Sequence, residues 1–274
     1  MANNNIPSTK LNNGISMPLL GLGVYDMYQR QAEQAVETAL EIGYQLIDTA
    51  SMYENEKEIG NAIKNSAVKR AEIFLTTKLN NTDHGYDQAL KAFDTSLQLL
   101  NQDYVDLYLI HWPIKEGRMD SWRAVERIYQ EGRAKAIGVA NYTLPFLNEL
   151  ANYSNITPAV NQIEFTPWMF DKATFDYCKQ SNIQLQSYSP ITRGIKFTDE
   201  RLKGLCDKYQ KTPAQIILNW NIQLGVSTIP KSSQRERLQE NFDAVNFTLD
   251  AQDVEFMNTF NEGFRICDDP IIFL

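Results

Sequence analysis

Eight short apolar segments alternate with segments of helical periodicity, and this alternation constrains the fold more than any other feature of the chain. From Leu19 onward the apolar segments recur about every 25 to 45 residues, which is the size of a strand–helix unit. The eight predicted strands are 18–25, 44–48, 73–77, 105–110, 134–139, 159–165, 183–187 and 226–229. Eight such units over about 250 residues are typical of a (β/α)8 TIM barrel. The sequence therefore predicts an α/β barrel, as a single domain over residues 1–274.

The predicted helices lie between these strands and continue past the last one. An apolar helical stripe over residues 32–40 is expected to end at Gly43, a residue typical of helix C-termini. The other predicted helices are 54–65, 86–100, 119–131, 144–152, 171–181, 199–210, 213–224, 234–243 and 250–260. We therefore expect two extra C-terminal helices after the eighth strand. A doubly wound open sheet is the alternative topology, because it is built from the same units.

The N-terminal region predicts a β-hairpin ahead of the barrel. Its Asn13-Gly14 dipeptide lies between two apolar residues and favours a type I′ turn. Gly21-x-Gly23 in the first barrel strand resembles part of a dinucleotide-binding fingerprint, but Asp26 replaces the third glycine. We therefore interpret these two glycines as positions of close backbone packing.

Composition and charge disfavour several classes of protein. Hydrophobic residues make up 43% of the chain and charged residues 22%, as in soluble globular proteins. No apolar run approaches the roughly 20 residues that span a membrane, and the start MANNNIPSTK lacks the apolar region of a signal peptide. The net charge of -8 disfavours nucleic acid as a partner. Three widely spaced cysteines predict reduced thiols and a cytoplasmic protein, and two histidines without nearby ligands predict no metal site.

Ionisable residues follow three successive predicted strands. Asp48 ends the second strand, Lys78 follows the third, and His111 follows the fourth. Tyr53 lies five residues beyond Asp48, in the connection to the next helix. Barrel enzymes carry their active sites at the carboxyl ends of the strands. We therefore expect these four side chains to meet.

Together, the four side chains suit proton donation to a carbonyl oxygen. A lysine ammonium close to a phenol is expected to lower the pKa of the phenol, and a carboxylate keeps the lysine charged and in place. A histidine can donate a hydrogen bond to the carbonyl oxygen. Each residue also has a structural explanation when taken singly: a cap for Asp48, packing for Tyr53, a solvated cation for Lys78 and a core histidine for His111.

The segment 229–241 predicts an anion-binding helix start. Ser233 and Glu236 have the spacing of a capping box. Lys231 and Arg237 flank this box, and the free N–H groups of a helix start attract anions. The combination suits a 2′-phosphate and so favours NADP over NAD. A charged surface helix is the alternative.

Several motifs, in unbroken order, resemble the signature of the aldo-keto reductase superfamily. They are DTASMYENEKEIG (48–60), the strand ending at Lys78, LYLIHWP (107–113), IGVANY (137–142), NQIEF (161–165), SYSP (187–190) and IPKSSQRERLQEN (229–241). The short C-terminus resembles that of bacterial members similar to 2,5-diketogluconate and glyoxal reductases. The resemblance covers essentially the whole predicted barrel.

This resemblance implies a specific chemistry. It implies an NADPH-dependent oxidoreductase that reduces small aldehydes, ketones or dicarbonyls to alcohols by hydride transfer. Tyr53 is then the general acid, Lys78 and Asp48 tune it, and His111 orients the carbonyl. A Schiff-base lyase that uses Lys78 as nucleophile and a non-catalytic NADPH-binding sensor or subunit are the alternatives.

The resemblance also implies where the ligands bind. The implied cofactor residues are Gly23, Val24, Asn141, Gln162, Tyr188, Ser189, Ile191, Lys231, Ser232, Ser233, Arg237, Glu240 and Asn241. The small-molecule carbonyl substrate is expected to contact Tyr25, Trp112 and His111. We expect the protein to be a monomer.

Overall fold

A closed parallel barrel preceded by a hairpin is the main feature of the computed structural model, which describes residues 6–274. The hairpin strands are β1 (Ser8–Lys10) and β2 (Ser16–Pro18). The barrel strands are β3 (Leu22–Gly23), β4 (Leu46–Asp48), β5 (Phe74–Leu79), β6 (Val105–Ile110), β7 (Ala134–Ala140), β8 (Val160–Glu164), β9 (Gln184–Tyr188) and β10 (Ser227–Ile229). The barrel strands pair in chain order, each parallel to the next.

Backbone hydrogen bonds between the first and last barrel strands close the sheet. Thr228 pairs with Leu20, and its carbonyl accepts a hydrogen bond from Gly21 N at 2.9 Å. Gly23 N donates to Pro230 O at 3.2 Å. This closure confirms the predicted (β/α)8 barrel over the open sheet. The first strand is shorter than the predicted 18–25, because only Leu22 and Gly23 form a regular ladder with β4.

Ten α-helices lie among the described residues, each within three residues of the predicted bounds. They are α1 (Gln29–Ile42), α2 (Glu56–Asn65), α3 (Tyr86–Leu100), α4 (Arg118–Gln130), α5 (Leu144–Ala151), α6 (Lys172–Gln180), α7 (Glu200–Tyr209), α8 (Pro213–Gln223), α9 (Arg235–Phe242) and α10 (Ala251–Asn258). Both helices predicted after the last strand are present. Helix α9 packs between α8 and α1, and α10 packs against α8. Gly43 ends α1 with a φ of 119°, as predicted.

Alternating side chains of the strands form two apolar layers. In β6, Leu107 and Leu109 belong to the cluster inside the barrel, whereas Tyr108 and Ile110 belong to the layer under the helices. This alternation follows from the period of two along a strand. Complete burial of one such side chain contributes about 1.5–3 kcal/mol, so the two layers together stabilise the barrel.

The hairpin covers the end of the barrel interior, and its turn differs from the predicted type. Leu11 and Met17 pack into the interior cluster. Gly14 N donates to Leu11 O at 2.8 Å, and Gly14 has a φ of 85°, but Asn13 is not in the left-handed region. The prediction of a type I′ turn, which needs two such residues, is therefore wrong. Leu11 N donates to Ile15 O at 2.8 Å, so the strands are joined by a three-residue loop, 12–14, in which only Gly14 is left-handed.

The two glycines of β3 and its flank lie where other chain segments approach closely. A Cβ atom at Gly21 would lie 2.3 Å from a methyl carbon of Leu46, and one at Gly23 would lie 2.9 Å from the carbonyl oxygen of Ile229. Both distances are too short for real contacts. The interpretation of this pair as a close-packing feature is confirmed.

Candidate active site

Asp48, Tyr53 and Lys78 meet at the carboxyl end of the barrel. Lys78 Nζ donates hydrogen bonds to Asp48 Oδ1 at 2.6 Å, to Thr49 O at 2.8 Å and to Tyr53 OH at 3.2 Å. The Tyr53 ring lies 5.5 Å from the ring of His111, edge to face. The structure therefore brings together the four residues that the sequence singled out.

The Asp48–Lys78 pair is completely removed from solvent. The Lys78 side chain is 0% exposed and that of Asp48 is 2% exposed. Burial raises the pKa of Asp48 and lowers the pKa of Lys78, and each charge opposes the shift of the other. A buried ion pair needs additional hydrogen bonds to satisfy its remaining atoms. Gln162 Nε2 supplies one, to Asp48 Oδ2 at 2.7 Å.

The environment of Tyr53 and His111 holds both side chains in their neutral forms. Burial raises the pKa of Tyr53 well above its usual value, and the charge of Asp48 raises it further. We expected Lys78 to lower the pKa of Tyr53. This expectation is wrong, because lost hydration disfavours the phenolate and the net shift of the pKa is upward. Burial and then the Lys78 charge lower the pKa of His111 well below its usual value. At neutral pH, Tyr53 keeps its proton and His111 is an uncharged imidazole.

Asn55 organises the turn that presents Tyr53. Tyr53 ends a 3-10 turn that begins at Ser51. Asn55 Nδ2 donates to the carbonyls of Val24 at 2.9 Å and Met27 at 3.0 Å. Its Oδ1 accepts from Thr49 Oγ1 at 2.6 Å. Because these bonds link the loops after β3 and β4, Tyr53 is fixed relative to both.

Two amide side chains continue the hydrogen-bond network from these four side chains. Asn141 Nδ2 donates to His111 O at 2.8 Å, and Asn141 Oδ1 accepts from Tyr188 OH at 2.8 Å. Gln162 Nε2 is bound to Asp48 and to Gln186 Oε1. Asn141 itself has a left-handed φ of 66°. Such backbone strain is typical of sites that a surrounding network holds in place.

A cavity of about 990 Å³ extends from this centre along the mouth of the barrel. Most of the predicted catalytic, cofactor and substrate residues line it, namely Gly23, Tyr25, Asp48, Tyr53, His111, Trp112, Asn141, Gln162, Tyr188, Ser189, Ile191, Lys231, Ser232, Arg237, Glu240 and Asn241. Lys78, Val24 and Ser233 do not. Lys78 lies behind Tyr53, and Val24 is fully buried.

The start of α9 differs from the predicted capping box. Gln234 occupies the N-cap position without a side-chain cap, so Glu236 is the second helical residue instead of the third. Ser233 Oγ instead accepts a hydrogen bond from Gln31 Nε2 at 3.3 Å. The predicted capping box is therefore wrong. Lys231 and Arg237 still face the cavity from either side of this helix start.

The sequence profile described as the aldo/keto reductase family matches residues 19–262. This chain belongs to the aldo/keto reductase family. The reductase is 43% identical over 264 residues to the glyoxal reductase of Bacillus subtilis (strain 168), and the alignment covers 96% of each chain. It is thus an oxidoreductase.

Solved structures of this family resemble the reductase over nearly its whole length. MGS-M4, an aldo-keto reductase enzyme from a Medee basin deep-sea metagenome library, is 44% identical with a TM-score of 0.93 and covers 95% of this chain and 97% of its own. The Bombyx mori aldo-keto reductase, solved in complex with NADP, is 34% identical with a TM-score of 0.89. That match covers 96% of this chain and 95% of the silkworm chain.

The cavity of the reductase also includes residues that the sequence did not single out. They are Asp26, Met52, Asn81, Pro190, Arg193, Gly194, Phe197, Ala214, Ile229, Ile266, Cys267, Asp268 and Phe273. Most come from loops or from the C-terminal segment, where no periodicity marks a buried position. Within residues 6–274, no three His, Cys, Asp or Glu side chains are grouped so that they could hold a metal ion. The same residues include no helix long and apolar enough to cross a membrane.

Proposed function

We propose that this reductase uses NADPH to reduce small aldehydes, ketones or dicarbonyls to alcohols, with Tyr53 as the general acid. The observation that carries the proposal is the Tyr53 hydroxyl, which lines the cavity while it is hydrogen-bonded to the buried Lys78. Family membership, the name of the Bacillus subtilis relative and the NADP complex of the silkworm enzyme support the substrate class and the cofactor.

The residues of the cavity fit NADPH. Lys231 and Arg237 provide positive charge at one end for a 2′-phosphate, which Arg can bind through two hydrogen bonds. Tyr188 and Gln162 lie nearer to the catalytic centre and suit the nicotinamide ring and its carboxamide. Gly23 also lines the cavity. Bound NADPH would supply a hydride to the carbonyl carbon.

Tyr53 donates a proton to the carbonyl oxygen in the proposed mechanism. Its raised pKa keeps the proton on the hydroxyl until the oxygen develops negative charge. Once the proton has moved, the phenolate oxygen lies 3.2 Å from the Lys78 ammonium, which stabilises the new charge. Asp48 balances the Lys78 charge and holds the ammonium in this position.

His111 orients the carbonyl oxygen in the same mechanism. Because its pKa is lowered, the imidazole is neutral and can donate one N–H without competing as an acid. Its ring contacts that of Tyr53 edge to face, and both residues line the cavity. Two donors that converge on one oxygen stabilise the charge that develops there.

The buried position of Lys78 disfavours the Schiff-base lyase. Its Nζ makes three hydrogen bonds, and the residue does not line the cavity. A substrate carbonyl would have to displace Tyr53 to reach it. Borohydride treatment in the presence of a carbonyl compound is expected to leave Lys78 unmodified.

A direct assay tests the proposed reaction. The loss of NADPH absorbance is followed with glyoxal, methylglyoxal and an aromatic aldehyde, and NADPH binding is measured separately by fluorescence. We expect turnover with at least one of these carbonyl compounds and none without them. Tight NADPH binding without any turnover would instead support the sensor function.

We further propose that the chain is one domain over residues 1–274 and acts as a cytoplasmic monomer without a metal ion and without nucleic acid as a partner. The net charge of -8 supports the last point, since it opposes binding to phosphate backbones. The three cysteines are unpaired thiols in the structure, which suits a reducing compartment. Sedimentation of the purified protein tests the monomeric state.

A further inference from the structure

The C-terminal residues contribute an aromatic ring to the wall of the cavity. Phe273 lies in a 3-10 turn, Pro270–Phe273, and lines the cavity together with Trp112 from the loop after β6. The two ring centres are 5.8 Å apart, and the ring planes are inclined by 55°. Trp112 and Phe273 are far apart in the chain, so a tertiary contact between their two segments is needed to keep the rings together.

Arg118 makes that contact. Its Nη1 donates to Pro113 O at 3.0 Å and to Phe273 O at 3.1 Å. Since Pro113 directly follows Trp112, one nitrogen of the guanidinium joins the two backbone segments that carry the aromatic rings. Arg118 is 7% exposed and does not line the cavity, so it contacts this wall from the side that faces away from the cavity.

The opposite side of the guanidinium is held by α5. Arg118 Nε donates to Glu149 Oε1 at 2.9 Å, and Nη2 forms an ion pair with Glu149 Oε2. The ring of Phe146 lies 5.2 Å from the guanidinium carbon. This planar, two-point contact fixes the direction of Nη1, which a lysine ammonium cannot reproduce.

The position of Arg118 on its helix argues against a role in helix stability. It is the first residue of α4, where the positive end of the helix dipole disfavours a cation. Its hydrogen bonds go to the cavity wall and to α5 instead of to α4. The buried charge is therefore explained by the contacts that it makes with other segments.

We propose that Arg118 is a positioning residue for substrate selectivity. Arg118 holds Phe273 beside Trp112 and so maintains an apolar cavity wall. This wall favours carbonyl compounds that carry an aromatic group over small aliphatic carbonyl compounds. This inference rests on the proposed reductase function. Without the guanidinium, the Phe273 ring leaves the wall and an aromatic substrate loses its packing surface.

The test compares Arg118→Lys with Phe273→Ala, which removes the ring and keeps the backbone acceptor. For each variant, KM and kcat are measured with an aromatic aldehyde and with methylglyoxal. We expect both variants to raise KM for the aromatic aldehyde about tenfold, as for loss of one aromatic packing contact with the substrate, and to change KM for methylglyoxal less than about twofold. Neither variant should alter NADPH affinity.

A double variant tests whether Arg118 acts through Phe273. If it does, Arg118→Lys in the Phe273→Ala background should change the aromatic KM no further, since the two effects share one cause. Additive effects, or an equal loss with both substrates, would overturn the proposal. Arg123→Lys is the matched control, because Arg123 lies on the same helix in an exposed pair with Asp120. It should change neither KM.

Binding without cofactor separates this inference from the proposed function. Titration calorimetry with the aromatic aldehyde and with methylglyoxal gives the selectivity of the cavity even if no turnover occurs. An Arg118→Lys variant that melts at a normal temperature and retains the wild-type ratio of affinities would refute the role of Arg118. Absence of turnover in the wild type would refute only the reductase function.

Discussion

At the scale of single residues, burial decides the protonation states at the candidate active site. Tyr53 and His111 are kept neutral by lost hydration, while Asp48 and Lys78 are held as a hydrogen-bonded pair. This combination places a proton donor, a neutral hydrogen-bond donor and a fixed positive charge within one site. Two substitutions at this scale test the roles that we propose.

Tyr53→Phe is expected to lower kcat by about 10²- to 10⁴-fold, the usual contribution of a placed general acid. The aromatic ring and its contacts with Tyr25 at 5.1 Å and His111 at 5.5 Å are retained. The affinity for NADPH, measured by fluorescence titration, should therefore stay within about twofold, since no cofactor contact is assigned to the hydroxyl. A variant with half of the wild-type activity would remove Tyr53 from the mechanism.

Arg237→Ala should weaken NADPH binding by about 10- to 100-fold and leave NADH nearly unchanged, because only NADPH carries the 2′-phosphate. Arg235→Ala is the matched control. Arg235 lies two residues away on α9 and forms an exposed pair with Glu41 at 2.8 Å instead of lining the cavity. Dissociation constants for both cofactors decide the outcome. Equal weakening of NADH would place Arg237 in the shared adenosine pocket or in the fold.

At the scale of secondary-structure elements, glycines set how closely helices approach their neighbours. A Cβ atom at Gly60 on α2 would lie 2.3 Å from the carbonyl oxygen of Leu100, at the end of α3. Gly204 on α7 has no heavy atom within 4 Å of the corresponding position. The two helical glycines therefore differ in their tertiary surroundings.

Gly60→Ala should destabilise the fold by about 1–3 kcal/mol, as expected when backbone must move to relieve overpacking. Gly204→Ala should instead stabilise it by about 0.5–1 kcal/mol, through helix propensity alone. Urea denaturation of both variants measures the two free energies of unfolding. The opposite signs are the expected result, and a stabilised Gly60→Ala would show that α2 can shift away from α3 at little cost.

At the scale of the whole molecule, two histidines that lose hydration on folding couple stability to pH. His84 Nδ1 lies 3.1 Å from Ser121 Oγ, and burial lowers the pKa of His84 to about 4 from 6.5. The unfolded chain therefore binds a proton before the folded one does. The contribution of His84 to stability is complete above pH 6.5 and is lost as the pH falls towards 4.

His84→Gln should reduce the fall in unfolding free energy between pH 6.5 and pH 4. One proton corresponds to a slope of about 1.4 kcal/mol per pH unit, which is the most that this variant should remove. Urea denaturation across this range gives both slopes. The wild-type slope also contains His111, so some dependence should persist in the variant. Identical slopes would show that His84 is protonated equally in both states.

Local patterns in the sequence determined the strands, the helices and the set of strand ends that carry the site. Apolar periodicity depends on neighbouring residues, so the bounds of β6 were predictable without any tertiary contact. Asp48, Lys78 and His111 were predictable together because each lies at or next to the carboxyl end of a parallel strand, and closure of the barrel brings such ends to one face. The family motifs added further cavity residues, among them Asn141, Gln162 and Tyr188.

Only the tertiary structure decided the remaining features, because they depend on segments that are distant in the chain. The upward shift of the Tyr53 pKa results from burial, which no local pattern reports. The predicted capping box at Ser233 is absent, because Ser233 forms a hydrogen bond with Gln31 and α9 begins at Arg235. The link from Arg118 to Phe273 joins residues 155 positions apart. Periodicity is a property of adjacent residues, whereas hydration and long-range hydrogen bonds are properties of the folded chain.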